Sequence, residues 1–325
     1  MPVKIRATLL AADCAEHPAV TAWSEFSGRA IAPERIDVLW TKHKSTTYRI
    51  FGAGPSGASM IAQYSLASKS AIERTVYEQI LPNLPLTAPR FYGGLKPESG
   101  EHAWMFLEDI GDRRYEESNP EHRNLAGRWV GLLHAAGSSL PAARSLPATG
   151  PHRYLGFLQT CHRTITTNLD NPVLLADDVD LLRQIAADLK RLERAWAEIE
   201  QACADMPASI AHGDFRPKNA CLRERHDGLQ LFPIDWETAG WGIPAADLTR
   251  IDLAAYLSVA QTWWRDARLE DVERVAAVGA IFRYISSIFW LVPELATTGY
   301  KPIPALRVGH WSLTEAVRQL RELTD

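Results

Sequence analysis

Several features that define whole classes of protein are missing from this sequence of 325 residues. No apolar run approaches the roughly 18 residues that a membrane-spanning helix needs, which excludes a transmembrane helix. Near the N-terminus only the stretch 7–12 is apolar, and it is too short for the apolar segment of a secretory signal peptide. The four cysteines are scattered and form no CxxC pair. Neither a disulfide framework nor a zinc site is therefore expected, and a reducing cytoplasm fits.

An excess of charge of one sign is missing too, because 35 basic residues stand against 39 acidic residues and the net charge is −4. A protein that binds nucleic acid or an anionic membrane usually has an excess of positive charge, which this chain lacks, so neither partner is expected. What the chain does have is an ordinary globular composition, with 46% hydrophobic and 23% charged residues. Its length suggests about two domains or lobes.

The first third of the chain has the pattern of strands with one helix. Short segments rich in β-branched and aromatic residues predict strands at 36–41, 46–52, 59–65 and 103–107. The turn sequence AGPSG predicts that the second and third of these form a hairpin. Apolar residues at helical spacing predict a helix over 70–81. A lobe boundary is predicted after the last strand, which divides the chain into 1–108, with an N-terminal extension 1–30, and 109–325.

The remainder is predicted to be mainly helical. Apolar residues spaced three and four apart indicate helices at 125–136, 180–201, 247–260, 270–292 and 304–323. Short strands at 208–211, 220–223 and 229–234 interrupt them. The expected fold class is therefore α+β, with a small antiparallel-sheet lobe followed by a larger, mainly helical lobe.

One stretch carries most of the chemical information. It reads HGDFRPKN over 212–219, and after a predicted hairpin the chain continues as IDWE over 234–237. Asp214 and Asn219 lie five residues apart on a loop between two strands, and Asp235 follows Asp214 by 21 residues. Because a short hairpin brings its strand ends together, these three side chains can converge on one cleft. Phosphoryl transfer needs such a set: one carboxylate takes the proton of the acceptor hydroxyl, and a carboxylate with an amide oxygen holds Mg²⁺ against nucleotide phosphates.

HGDFRPKN followed by IDWE resembles the signature of the aminoglycoside phosphotransferases and related small-molecule kinases, such as choline kinase and homoserine kinase. These enzymes share the two-lobed protein-kinase-like fold. The resemblance therefore implies a nucleotide-binding lobe over 1–108 and a catalytic, substrate-binding lobe over 109–325. It implies that Asp214 is the catalytic base and that Asn219 and Asp235 bind Mg²⁺. It also implies ATP or GTP as the cosubstrate.

Weaker matches extend the resemblance to other parts of the chain. The segment LEDIG resembles the family's hinge, where backbone groups of Glu108 and Ile110 would meet the nucleotide base. Glu73 resembles the helix glutamate that pairs with a nucleotide-anchoring lysine, although a solvated surface charge explains it equally well. In the segment AGWGIPAADL, Asp247 is interpreted as a helix N-cap that reaches back to the catalytic loop. His212 is expected to be structural and to hold the shape of that loop.

One feature of the family is absent. The lysine expected on the third strand, which contacts the α- and β-phosphates, is replaced by Gln63, which donates a hydrogen bond but supplies no charge. The loop between the first two strands offers Lys42, Lys44 and the hydroxyl of Ser45 as compensation, although an ordinary solvated hairpin tip is the simpler explanation of the two lysines. Arg216, two residues after the expected base, has the better claim to contact the phosphates and to assist catalysis.

These features predict a cytoplasmic ATP- or GTP-dependent O-phosphotransferase that acts on a hydroxyl of a small molecule. An antibiotic or aminosugar is favoured as the acceptor by analogy alone. A non-catalytic nucleotide-binding pseudokinase is the main alternative, supported by Gln63 but opposed by the intact Asp214, Asn219 and Asp235. A metal hydrolase would need an HExxH motif or paired histidines, and the sequence has neither. A protein kinase would need an A-P-E signature in the activation segment after Asp235, and none is found there.

Overall fold

The computed structural model describes residues 7–10, 14–42, 45–96, 100–226, 228–297 and 302–324. The chain divides into two compact units. The first comprises Met1–Leu125 and Arg216–Ala239, and the second comprises Ala126–Phe215 and Gly240–Asp325. The chain therefore leaves the first unit and later returns to it for one short stretch. The predicted lobe boundary near residue 108 coincides with the end of a strand and with none of the three points at which the chain passes between the units, so it stays a prediction.

The described chain begins with strands and a few helices, and its elements become mainly helical after Glu108. In chain order they are β1 (Ala7–Leu10), α1 (Pro18–Ser27), β2 (Arg35–Lys42), β3 (Ser45–Phe51), β4 (Met60–Leu66), α2 (Ala67–Thr75), β5 (Phe91–Leu95), β6 (His102–Glu108), α3 (Pro120–Gly137), β7 (Ala148–Thr149), α4 (Pro151–Thr167), α5 (Ala176–Arg194), α6 (Trp196–Ala202), β8 (Ser209–Ala211), β9 (Ala220–Arg225), β10 (Gly228–Pro233), β11 (Gly240–Gly242), α7 (Leu253–Ala260), α8 (Leu269–Leu291) and α9 (Ile303–Thr324).

Strands β1 to β6 form one antiparallel sheet in the first unit, in the order β1-β2-β3-β4-β6-β5. Strands that are joined by short connections pair antiparallel because the chain reverses direction between them. The predicted hairpin of β3 and β4 is confirmed: Ser45 pairs with Ser65, and both Gly52 and Gly57 take positive φ at the turn. The sheet therefore presents the side chains of β3 and β4 next to one another in a fixed register.

Side chains of β4 alternate between the two faces of the sheet. Met60 and Ala62 are fully buried and pack in the core that includes residues of α1. Between and beyond them, Ile61, Gln63 and Ser65 project from the other face, where they line a cavity. Helix α2 follows β4 with no intervening residue. The first turns of α2 are therefore held close to the same cavity wall.

The hairpin of β9 and β10 also belongs to the first unit. Ala220 pairs with Pro233 at the open end of the hairpin, where the chain enters and leaves. The N–H of Tyr115 donates to the carbonyl oxygen of Ala220 at 3.0 Å, which ties the hairpin to the segment after β6. The residues just before β9 and just after β10 therefore lie side by side.

The second unit is mainly helical, and α8 packs against α4, α7 and α9 within it. The predicted helices at 125–136, 270–292 and 304–323 correspond to α3, α8 and α9. The predicted helix at 180–201 is present as α5 and α6, with a break at Ala195. The prediction of a helix over 247–260 is wrong in its first half, where a 3₁₀ turn spans Ala245–Leu248. Arg250 has a φ of 68°, which an α-helix does not accommodate.

Helix α8 and the 3₁₀ turn that follows it, Leu269–Ala296, are long and apolar enough by composition to cross a membrane, with a mean hydropathy of 1.8. The core helix of a globular protein has the same composition. Gly279 in α8 lies so close to another segment of the second unit that an added Cβ would come within 2.0 Å of the Ala245 carbonyl oxygen. At Gly279, α8 therefore packs as closely against its neighbour as a core helix does.

Candidate functional site

A cavity of about 620 Å³ lies in the first unit. This volume is within the range of about 300–1,000 Å³ that is typical of small-molecule and cofactor sites. Its walls come from β2, β3 and β4, from α2, from the end of β6 and the segment after it, and from the open end of the β9–β10 hairpin, where the chain enters and leaves. The predicted site residues that line it are Ser45, Gln63, Glu108, Ile110, Asn219 and Asp235. The fold thus brings into one cavity residues from widely separated parts of the sequence.

The other predicted site residues have different positions. Glu73 on α2 is buried. Arg216 begins the stretch that returns to the first unit. It is not among the described residues that line this cavity. Asp214 belongs to the second unit. Lys42 ends β2, with its side chain outside the described part of the structure, and Lys44 lies outside the described residues altogether.

Gln63 occupies the strand position at which the family resemblance implies a lysine. Its Nε2 donates a hydrogen bond to Oε2 of Glu73 at 3.0 Å, and Oε1 of Glu73 accepts from the backbone N–H of Trp236 at 3.1 Å. Burial, followed by the nearby carboxylates of Asp235 and Glu237, raises the pKa of Glu73 to about 8. The surface-charge interpretation of Glu73 is therefore wrong: it is a buried link between β4, α2 and the segment 235–237.

Sequence reasoning missed Lys69, which lies one helical turn before Glu73 on α2. Its Nζ lies 2.7 Å from Oε2 of Glu237, and both side chains line the cavity. Residues four apart share one face of a helix, so Lys69 and Glu73 contact the adjacent residues Glu237 and Trp236. That spacing is the signal in the sequence that could have pointed to Lys69.

Asn219 and Asp235 flank the β9–β10 hairpin. The carbonyl oxygen of Asn219 accepts a hydrogen bond from the N–H of Ile234 at 2.9 Å, which continues the pairing of the two strands beyond Ala220 and Pro233. Asp235 follows directly and has a φ of 69°, a region that few residues other than glycine adopt and in which aspartate is enriched. Such backbone conformations cluster at functional sites, where the surrounding structure holds them in place.

The donor atoms of these two residues fit Mg²⁺. A carboxylate oxygen and an amide oxygen are hard ligands, and Mg²⁺ is usually bound by one or two carboxylates together with substrate phosphates and water. Within the described ranges, no group of three or more His, Cys, Asp or Glu side chains could hold a metal ion. Asn219 and Asp235 are therefore suited to a metal that is shared with a phosphate ligand and less suited to a closed structural site.

An ion-pair cluster fixes the predicted hinge against β3. Nε of Arg49 lies 2.8 Å from Oδ2 of Asp109, and its two terminal nitrogens contact the Asp112 carboxylate at 2.7 and 3.0 Å. The hydrogen bond from Arg49 holds the pKa of Asp112 below its ordinary value. Asp109 also accepts from the hydroxyl of Ser59 at 2.7 Å and from the N–H of Gly111 at 3.0 Å. Sequence reasoning missed Arg49, whose side chain also lines the cavity.

A second arginine, Arg223 on β9, holds the hinge from the hairpin. Its guanidinium lies 2.5 Å from the Glu108 carboxylate and donates to the backbone carbonyl oxygens of Asp109 and Ile110. The carboxylate of Glu108 is thus used in an ion pair of the protein itself. The hinge resemblance implies a contribution of Glu108 to ligand binding through its backbone, which this ion pair leaves unchanged.

In the second unit, the loop that carries Asp214 is anchored through its backbone. The N–H groups of His212 and Gly213 donate to the carboxylate of Asp247 at 2.6 and 2.8 Å, and Nδ1 of His212 accepts from the N–H of Asp214 at 3.3 Å. His212 therefore shapes the loop, as predicted. The prediction that Asp247 reaches back to this loop is confirmed. Its interpretation as a helix N-cap is wrong, because Asp247 lies in a 3₁₀ turn and Asp252 caps α7.

Buried partners that sequence reasoning missed support this loop. Nε2 of His134 lies 3.5 Å from the Asp247 carboxylate, and Nδ1 of His134 lies 3.0 Å from the hydroxyl of Tyr256. Burial alone would raise the pKa of Asp247, but the hydrogen bond and charge of His134 and the backbone bond from the loop lower it below its ordinary value. Arg283 also donates to the carbonyl oxygen of Phe215 at 2.6 Å. The Asp214 loop is therefore held in one conformation from several sides.

Comparison with solved structures identifies the fold. An ethanolamine kinase of Plasmodium vivax is 13% identical, with a TM-score of 0.60 over 89% of this chain and 83% of that chain. A choline kinase of Cryptosporidium parvum is 14% identical, with a TM-score of 0.59 over 89% of this chain and 90% of that chain. A spectinomycin phosphotransferase in complex with ADP and spectinomycin is 8% identical, with a TM-score of 0.56 over 90% and 94% of the two chains. These similarities confirm the predicted α+β, protein-kinase-like fold.

Comparison of sequences identifies the family. No curated protein sequence matches this chain significantly. The model of the phosphotransferase enzyme family, however, matches residues 60–280, which is more than half of the chain and includes Gln63, Asp214, Asn219 and Asp235. The chain therefore belongs to the phosphotransferase enzyme family and is a small-molecule kinase.

Proposed function

We propose that this protein transfers the γ-phosphoryl group of ATP or GTP to a hydroxyl group of a small molecule that also carries an amine. The observation that carries the proposal is the sharing of one cavity by Asn219, Asp235 and the hinge-like segment in a chain of this family. Ethanolamine, choline, aminopropanol and spectinomycin occur in the names of similar structures, and each combines a hydroxyl with an amine or, in choline, with a quaternary ammonium group. An aminosugar or antibiotic belongs to the same chemical class.

In this proposal the cavity binds the nucleotide. The backbone of Glu108 and Ile110 faces the base, because both residues line the cavity and their segment is fixed by two arginines. The phosphates lie towards the wall that contains Ser45 and Gln63. Mg²⁺ would be held by Asn219 and Asp235, and would supply two positive charges against the phosphates.

The acceptor hydroxyl is activated by Asp214, which the HGDFRPKN motif assigns as the base. The hydroxyl oxygen forms a bond to the γ-phosphorus while the bond from that phosphorus to the bridging oxygen of the β-phosphate breaks. The proton of the hydroxyl passes to the Asp214 carboxylate, and the nucleoside diphosphate leaves. Arg216, two residues after the base, is proposed from the motif to contact the transferring phosphoryl group.

The test is a turnover assay with MgATP and MgGTP against a panel of acceptors. The panel contains choline, ethanolamine, aminopropanol, spectinomycin, an aminoglycoside and an aminosugar, with glycerol as the amine-free control. We expect acceptor-dependent release of nucleoside diphosphate and a phosphorylated amine-bearing product detected by mass spectrometry. Nucleotide binding with no turnover across the panel would contradict the proposal and support the non-catalytic alternative that Gln63 favours. Turnover of glycerol alone would contradict the amine requirement.

A further inference from the structure

The cavity needs a cation that the strand does not provide. Gln63 donates a hydrogen bond but carries no charge. A nucleoside triphosphate carries several negative charges, and Mg²⁺ offsets only two of them. Among the described residues, the basic side chains that line the cavity are Arg49, Lys69, Arg114 and Lys218.

Two of these cations are committed to the protein's own groups. The guanidinium of Arg49 is shared between Asp109 and Asp112. That of Arg114 donates to Sγ of Cys221 at 2.7 Å and to the carbonyl oxygen of Lys218 at 3.3 Å. Both arginines therefore serve to position the hinge and the hairpin.

Lys69 is placed differently. Its side chain is 42% exposed, and its ammonium lies 2.7 Å from a carboxylate, that of Glu237, which is 27% exposed and two residues beyond Asp235. An ammonium has three donors, so it can donate to a carboxylate oxygen and to a ligand oxygen at the same time. Because α2 continues β4 directly, Lys69 is also fixed to the wall that contains Gln63 and Ser65.

We propose that Lys69 takes over the charge of the missing strand lysine, and that its ammonium binds the phosphate groups of a nucleotide in this cavity while Glu237 orients it. The inference deepens the proposed function and rests on it. A strand lysine would both pair with the buried helix carboxyl and bind phosphate. Here the two tasks are divided: Gln63 keeps the hydrogen bond to Glu73, and Lys69 supplies the charge.

The binding of Mg²⁺-loaded ADP, GDP and their non-hydrolysable triphosphate analogues to the full chain, measured by calorimetry, tests this inference. K69M should weaken di- and triphosphate binding by about 10- to 100-fold, the range for loss of a hydrogen bond to a charged group. Binding of adenosine or guanosine, measured by competition, should stay unchanged, because a nucleoside has no phosphate. The matched control is K190M: Lys190 on α5 is 49% exposed and also lies 2.7 Å from a glutamate, Glu193, but outside this cavity.

A rescue variant separates a charge contact from a structural effect. In Q63K/K69M the ammonium returns at the strand, and most of the lost nucleotide affinity should return with it; K69Q should behave like K69M. Equal affinities of K69M and K190M would overturn the inference while the proposed function stands. Weakened nucleoside binding in K69M, or a loss in K218M with none in K69M, would also overturn it. Failure of the wild-type chain to bind any of the nucleotides would overturn the inference and the proposed function together.

Discussion

Gln63 and Glu73 form a hydrogen-bonded pair, with Nε2 of the glutamine 3.0 Å from Oε2 of the glutamate. An ammonium at position 63 would stabilise the charged carboxylate and lower its pKa, whereas an amide does so only weakly. Burial therefore dominates, and the pKa of Glu73 is raised to about 8. The pair joins strand β4 to helix α2, and the backbone bond from Trp236 extends it to the segment after the hairpin.

The first prediction concerns the stability that this pair provides. Q63A should lower the free energy of unfolding by about 1–3 kcal/mol, because the buried carboxyl of Glu73 loses a partner. Q159A removes a similar hydrogen bond, from Gln159 to Glu193 at 2.9 Å, on the exposed surface. It should change the free energy by less than about 0.5 kcal/mol. Urea denaturation of both variants provides the comparison, and equal losses would show that burial does not increase the contribution of Gln63.

The second prediction concerns pH. The pKa of Glu73 is about 8 in the folded chain against an ordinary value of 4.5. Between these values the folded state binds a proton that the unfolded state releases, so the free energy of unfolding falls as pH rises and levels off above about pH 8. Each unit of pKa difference corresponds to about 1.4 kcal/mol.

E73Q removes this titration, and an amide at position 73 can still accept from Trp236 while Gln63 turns its amide to face it. The stability of the wild type relative to E73Q should therefore decrease steadily from pH 5 to pH 8 in urea denaturation. Above pH 8 the difference should become constant. Parallel stability curves across the whole range would mean that Glu73 does not bind the additional proton.

The sequence predicted those parts of the fold whose pattern is local. The apolar face over 180–201 is buried as expected, including Leu181, Ile185 and Leu189. Helix α4 was not predicted, although Leu158, Cys161 and other buried residues in it have helical spacing. Its interior is rich in threonine and histidine, which have low helix propensity and weaken the pattern.

The candidate site was predictable only where one motif contained it. Asn219 and Asp235 belong to one hairpin, so their proximity follows from the pairing of adjacent strands. The roles of Lys69, Arg49 and Arg223 depend on partners at least 60 residues away in the chain, at positions 237, 109 to 112 and 108 to 110. No local pattern records such contacts, because they are decided by tertiary packing.

The third prediction tests the metal ligands. D235A should abolish the Mg²⁺-dependent part of nucleotide binding, because it removes the charged oxygen ligand. N219A should weaken that part less, since an amide oxygen has no net charge. Calorimetric titration of ADP with Mg²⁺ and with excess chelator separates the metal-dependent part from the rest. The assignment of Asp235 fails if D235A and the wild type gain equally from Mg²⁺.

The fourth prediction tests the base. D214N should reduce kcat by about 10²–10⁴-fold, the usual contribution of general-base catalysis, and leave nucleotide affinity nearly unchanged. The loop should keep its shape, because it is anchored by backbone donors of His212 and Gly213 to Asp247 and those bonds do not use the Asp214 side chain. D247N serves as the contrast and should reduce kcat and thermal stability together. A D214N enzyme with near-wild-type kcat would remove Asp214 from the mechanism.

The last prediction concerns the arginine that holds the hinge. The side chains of Arg49 and Asp109 are each 8% exposed, so R49M leaves a carboxylate buried without its main counter-charge. Breaking a buried ion pair by removing one partner typically costs about 3–5 kcal/mol. We expect the lower end of that range, because Ser59 and the N–H of Gly111 still donate to Asp109. The exposed pair of Arg74 and Glu78, at 3.0 Å, provides the control, and R74M should cost less than about 1 kcal/mol.

A double-mutant cycle with D109N separates the pair from the rest of the cluster. If the ion pair is the source of the effect, R49M should cost much less in the D109N background than in the wild type, and urea denaturation of the four proteins gives the coupling energy directly. The same loss in both backgrounds would assign the stabilising role of Arg49 to Asp112. In either case, R49M should also weaken nucleotide binding, because the hinge segment that it releases forms one wall of the cavity.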